Sequence, residues 1–86
     1  MLEEVSKLQG LKVYTPKGIY LGEVRNVELD ISNGRMYGIC LTNTNPNLVE
    51  HSVNITVPYR WIQDIGDAVI LRYFPERVTF GEEETE

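Results

Sequence analysis

Apolar and polar residues alternate with a period of two through most of the chain, and glycine, proline and asparagine cut the alternation into short segments. The pattern predicts an all-β protein: a small β-barrel of about five to six antiparallel strands with one short helical turn. Leu11 to Thr15 forms the first strand, stopped by Pro16-Lys17-Gly18, where proline presets one turn dihedral and glycine accepts a positive φ. In the next segment Tyr20, Gly22 and Val24 share one parity while Val27, Leu29 and Ile31 share the other. An extra residue near Arg25-Asn26 must shift the register, so a β-bulge is expected there, bending the strand as a closing barrel requires.

Ser32-Asn33-Gly34-Arg35 joins two alternating strands, and Asn33-Gly34 predicts a two-residue type I′ hairpin with both central residues at positive φ. Leu29 and Ile31 before it, and Tyr37, Ile39 and Leu41 after it, are the expected core residues of this hairpin. Met36 to Thr42 is the third strand, its second face formed by Met36, Gly38 and Cys40. Asn43 to His51 is the longest loop, the place where function is most easily grafted. Val53, Ile55 and Val57 mark a fourth strand ended by Pro58, Tyr59 to Asp64 a short helical turn, and Ala68 to Arg72 a fifth strand after Gly66-Asp67. Val5 and Leu8, three apart, fit one turn of helix or an irregular N-terminal arm.

Length and composition set bounds on this picture. A chain of 86 residues is at most one domain, expected to span 1–80 with residues 81–86 as a disordered acidic tail. The hydrophobic share of 42% and charged share of 24% are those of an ordinary globular chain. The formal net charge is −5, yet Glu82, Glu83, Glu84 and Glu86 account for most of it, leaving 9 acids against 8 bases before the ending. Lysines and arginines are spread along the sequence, so a clustered footprint for nucleic acid is disfavoured. No apolar run is long enough to cross a membrane, and acids stand at the N-terminus where a signal peptide carries bases, so a cytoplasmic protein without membrane insertion is expected.

Candidate chemistry is sparse. The single cysteine, Cys40, could act as a nucleophile with His51 as base, but no third orienting group accompanies them, and a buried structural thiol is the favoured reading. Glu23, Glu28 and Asp30 alternate along a strand, which is the habit of a solvated face rather than of a cation or acid-base site. Gly18 to Gly22 does not lead a strand into a helix, so turn geometry rather than phosphate binding explains the glycines. Asn54-Ile55-Thr56 fits the glycosylation pattern, which a cytosolic chain does not use. No catalytic residues, cofactor or metal are expected. Trp61, with Tyr59 and Arg60, is either an exposed aromatic anchor or a core residue beside Pro58. Tyr73, Phe74, Val78 and Phe80 form an apolar extension past the last strand, broken by Pro75, and are the expected protein interface, the competing account folding the segment back over its own barrel mouth beside Val5 and Leu8 to leave a monomer.

Leu8 to Val13, Gly18 to Val24, Val27 to Asp30 with Asn33-Gly34, and the step from Val57-Pro58 to Trp61-Ile62 followed by Ile65 to Leu71 resemble PRC-barrel domains, in the right order over roughly residues 6 to 72. The resemblance implies a small twisted barrel that holds other proteins, with structural roles for Gly10, Gly22 and Asp30, the last helping to set the hairpin at Asn33-Gly34. The family includes a domain of the photosynthetic reaction-centre H subunit and the C-terminal domain of the ribosome-maturation factor RimM. Stand-alone copies of this length resemble archaeal proteins, some of them cell-division scaffolds of the CdpB type. Neither the membrane helix of the first branch nor the preceding domain of the second is expected here, which sets the chain apart from either specific job. The leading expectation is a non-enzymatic scaffold or adaptor acting as a homodimer, its partner itself and a cell-division or other assembly protein. An RNA-processing or ribosome-maturation factor is the alternative, distinguished by a basic face. A small-ligand barrel would need a cavity that so short a chain can hardly spare.

Overall fold

The computed structural model describes residues 7–79, and the expectations placed on Val5, Phe80 and the acidic ending lie outside them. Six strands follow one another: β1 (Lys12–Tyr14), β2 (Tyr20–Asp30), β3 (Arg35–Thr42), β4 (Ile55–Pro58), β5 (Ile62–Ile65) and β6 (Val69–Leu71). Two 3-10 turns, Glu50–Ser52 and Tyr59–Trp61, interrupt them. The strands form one sheet in the order β4-β3-β2-β1-β6-β5. Every strand sends at least one side chain to a single core: Val13, Leu21, Val24, Ile39, Leu41, Val57, Ile62, Val69 and Leu71, joined by Leu8 and Val49.

The corner between β4 and β5 explains how an all-β chain this short encloses a core. These strands are the two edges of the sheet, yet only the 3-10 turn Tyr59–Trp61 separates them in sequence. At about 2 Å of rise per residue such a turn advances the chain by roughly 8 Å, so the sheet must be rolled until its edges nearly meet. The turn bends the chain without reversing it. β4 and β5 therefore run in the same sense, and β6 arrives parallel to β1 through Val13↔Val69 and Tyr14↔Ile70. This corrects the expectation of antiparallel pairing throughout. It also shortens the expected helical turn at 59–64: the turn stops at Trp61, because Ile62 and Ile65 pair with Leu71 and Val69 across a hairpin.

The β2–β3 hairpin carries the expected bulge, a register shift between Val24 and Asn26, and a second shift between Glu28 and Leu29 that places Met36 opposite Leu29 with Tyr37 as the extra residue. Its turn is longer than the predicted type I′. Asp30 pairs with Arg35, so residues 31–34 form the loop, and Gly34 alone is at positive φ (67°) while Asn33 is not. The Asn33 and Gly34 N–H groups both donate to the Asp30 carbonyl at 3.2 and 2.7 Å. The Asp30 carboxylate accepts from the Asn33 backbone at 3.3 Å and from its side-chain amide at 2.6 Å. Asp30 thus sets the hairpin through an Asx-type turn.

The core expected along this hairpin is half correct. Ile39 and Leu41 are fully buried, but Leu29 is 42% exposed, Tyr37 62% and Ile31 90%. β1 pairs with β2 only from Tyr20 to Glu23 and β4 with β3 only from Gly38 to Leu41, so the outer part of the hairpin extends past the strands beside it. Gly22 has the close approach foreseen for it, since a Cβ there would stand 3.0 Å from the Thr42 carbonyl oxygen. Gly10, at φ 88°, turns the chain into β1, with its N–H donating to the Val24 carbonyl at 2.8 Å.

Candidate functional site

The C-terminal segment after β6 was expected to lack cover in its own domain, and for two of its residues the structure corrects this. Val78 forms a parallel bridge with Val49; its N–H donates to Leu48 O and its carbonyl accepts from the Glu50 N–H, both at 2.8 Å. Phe74 packs against the core and stands edge-on to Trp61, ring centroids 6.3 Å apart. Tyr73 also meets Trp61 edge-on at 4.8 Å but remains 51% exposed. Trp61 itself is half-buried against the core. Arg72 fixes its surroundings: the Arg72 N–H donates to Trp61 O at 2.7 Å, and the guanidinium donates to Ile62 O at 3.3 and 3.1 Å.

Val49 and Thr44, both in the long loop Asn43 to His51, were missed as interior residues. Val49 is fully buried, and the Thr44 hydroxyl donates to Val53 O at 2.8 Å while its own carbonyl accepts from the Ser52 hydroxyl. Asn45 anchors the other end of the loop, its side-chain amide donating to Tyr20 O at 2.9 Å. The longest loop, where function is most easily grafted, therefore also contributes Val49 to the core. Beside it, partial burial raises the Tyr20 phenol above its ordinary value, with Glu23 and then Tyr14 adding to the effect.

The sequence-level candidates for chemistry do not converge. Cys40, expected to be largely buried, is intermediate in exposure, because it points to the face of β3 opposite Ile39 and Leu41, between Asn26 and Thr56 of the adjoining strands. His51 is exposed at φ 62° and faces Glu50 at 3.4 Å. Glu23 turns to Lys12 at 4.0 Å and accepts from Asn43 at 3.4 Å, whereas Asp30 is committed to its turn. Among the described residues, histidine, cysteine and acidic side chains do not gather in threes to hold a metal, and no helix is long and apolar enough to cross a membrane.

What the fold does place together is apolar surface. Along β2 and β3 the alternation puts Val27 and Leu29 on the side of Ile39, and the second register shift sets Met36 and Tyr37 against Leu29. Met36 then lines a shallow groove with Leu8, Leu11, Tyr59 and Ile65. Tyr59 is 49% exposed and Ile65 38%. A separate groove on another side runs between β4, Trp61, Phe74 and Val78.

No curated protein matches the chain. The family model described as PRC-barrel domain matches residues 2–78, which takes in all six strands, both 3-10 turns and the C-terminal bridge to Val49. With nine-tenths of its length accounted for in this way, the chain belongs to the PRC-barrel domain family.

Proposed function

We propose that this protein is a non-enzymatic scaffold or adaptor of the cytoplasm that works as a homodimer. The observation that carries the reading is surface left over once the core is filled: eight large hydrophobic residues are exposed among those described, three of them the tyrosines Tyr37, Tyr59 and Tyr73. Tyrosine is enriched at protein interfaces because its ring buries much area while its hydroxyl tolerates water. Membership in a family of protein-interaction modules supports the same reading. Archaeal cell division, the setting implied by stand-alone relatives of similar length, is the process in which a scaffold partner is to be sought. The ribosome-associated alternative has less support, since Lys12 is occupied by Glu23 and Arg72 by the Ile62 carbonyl. Analytical ultracentrifugation of the intact chain across micromolar concentrations tests the reading. Concentration-dependent growth to a dimer supports it, and a monomer throughout removes the homodimer.

A further inference from the structure

The homodimer proposed above needs a surface that can face its own copy, and the expected one is largely spent, because Phe74 and Val78 pack within their own chain. Resting on that homodimer, we infer that the second copy docks on the mouth of the barrel formed by Leu29, Tyr37, Tyr59 and Ile65, with Ile31 at its outer tip. The fractional exposures of these five residues amount to on the order of 600 Å² of exposed residue surface per copy, the upper end of the largest patch on an ordinary monomer. Two such faces together bury at most on the order of 1,200 Å², the lower end of the range of specific, stable interfaces. One copy of a small ligand would leave most of that area wet.

Charge favours a second copy of the same chain. A two-fold interface sets one patch against itself, so a rim of a single sign would repel. Here the rim carries both signs: Arg35 sits in register with Asp30 at the base of the turn, and Lys7 lies across the groove beside Met36. The centre, Leu29, Met36, Tyr37, Tyr59 and Ile65, carries no charge, which is the composition of an interface core surrounded by a polar rim. The hairpin also supplies rigidity, since its turn is held by four hydrogen bonds between Asp30 and residues 33 and 34. Little conformational entropy is then lost on docking.

The test uses ultracentrifugation of the intact chain and three variants, with circular dichroism to check folding. Tyr37→Glu removes the central aromatic and is expected to raise the dimer dissociation constant by roughly 30-fold or more, as loss of an interface hot spot does. Ile31→Glu changes a loop side chain that is 90% exposed and makes no core contact, so it keeps the proposal testable should Tyr37→Glu disturb the hairpin. Its expected weakening is several-fold, with thermal stability unchanged. Tyr73→Glu, on the other aromatic surface, is expected to leave the dimer intact. A dimer that survives both Tyr37→Glu and Ile31→Glu, or one lost only in Tyr73→Glu, overturns this surface while the homodimer stands. A monomeric parent chain overturns both. A parent that stays monomeric but captures a different protein through Tyr37 likewise refutes the second copy as occupant.

Discussion

Gly38→Ala is the sharpest test of the packing described here, because one methyl group is enough to oppose a strand pairing. Gly38 lies within β3, pairs with Pro58 of β4 and is buried. A Cβ built on it would stand 2.5 Å from the Val57 carbonyl oxygen and 3.3 Å from the Thr56 methyl. The nearer obstacle is backbone, so no rotamer change relieves it, and β4 must move away from β3. Forcing an extra methyl into a packed site costs about 1–3 kcal/mol. Separating the strands there weakens one or two ladder hydrogen bonds, each with a net value of about 1 kcal/mol. The sum, roughly 2–5 kcal/mol, is a large part of the 5–10 kcal/mol on the order of which a chain this size is stable. For a domain of this length it corresponds to a fall in Tm of roughly 10–40 °C. Thermal unfolding followed by circular dichroism measures it, with Gly22→Ala and Gly66→Ala alongside. At Gly22 the nearest atom would be 3.0 Å away, so the expected loss is smaller, and at Gly66 nothing lies within 4 Å, so no loss is expected. A Gly38→Ala protein that melts with the parent, or a Gly66→Ala protein that falls as far, refutes the close approach of β3 and β4 as the cause.

Three further outcomes follow from individual contacts. Gly34→Val places a β-branched residue at φ 67° and is expected to cost about 1–2 kcal/mol in urea unfolding, whereas equal stability removes the left-handed assignment at the hairpin. Thr44→Val keeps the shape of a buried side chain but leaves the Val53 carbonyl without its donor, with an expected loss of about 1–3 kcal/mol; a neutral result shows that the loop does not depend on this bond. The raised Tyr20 phenol means that the folded state holds its proton more tightly than the unfolded chain does. Its contribution to stability is therefore complete below the ordinary tyrosine value and is lost as pH rises through the higher folded value, so Tyr20→Phe should show a shallower alkaline decline in urea unfolding than the parent.

Much of the barrel was legible because strand alternation and turn chemistry are local. The parity change across Arg25-Asn26 located a bulge before any pairing was known, and Asp30 with Asn33-Gly34 located a hairpin. The loop length was misjudged for a physical reason: Asp30 competes for the Asn33 N–H and amide, which holds residues 31–33 out of the strands and leaves positive φ to Gly34 alone. β5 was hidden for another reason. Ile62 to Ile65 is too short to show a period, and its strand character comes from Val69 to Leu71 across the Gly66-Asp67 turn. Val49 and Thr44 sit among asparagines and a proline, a composition that reads as solvent-facing loop, yet hydrogen bonds from Asn45 and Thr44 bring that loop inward.

The exposed apolar face was visible as letters but not as a surface, and the difference lies in what alternation encodes. A period of two tells which side chains share a face; whether anything covers that face depends on the neighbouring strand. Leu29, Ile31 and Tyr37 carry the same signal as Ile39 and Leu41, and only the mismatch between this hairpin and the strands beside it, β1 pairing from Tyr20 to Glu23 and β4 from Gly38 to Leu41, separates them into outside and inside. That mismatch is written in the sequence as the distance between turns: Gly10 to Pro16 leaves room for a short strand, whereas Gly18 to Asn33 leaves room for one far longer. A hairpin that outruns its neighbour while keeping apolar residues on its inner face has two ways to bury them, by folding another segment over itself or by meeting another molecule. Among the described residues, the segment 72–78 does not serve the first, since Phe74 goes to Trp61 and Val78 to Val49. The apolar alternation of the outer hairpin is the surface on which the proposed second copy is expected to dock, and the dissociation constants of the Tyr37→Glu and Ile31→Glu variants decide it.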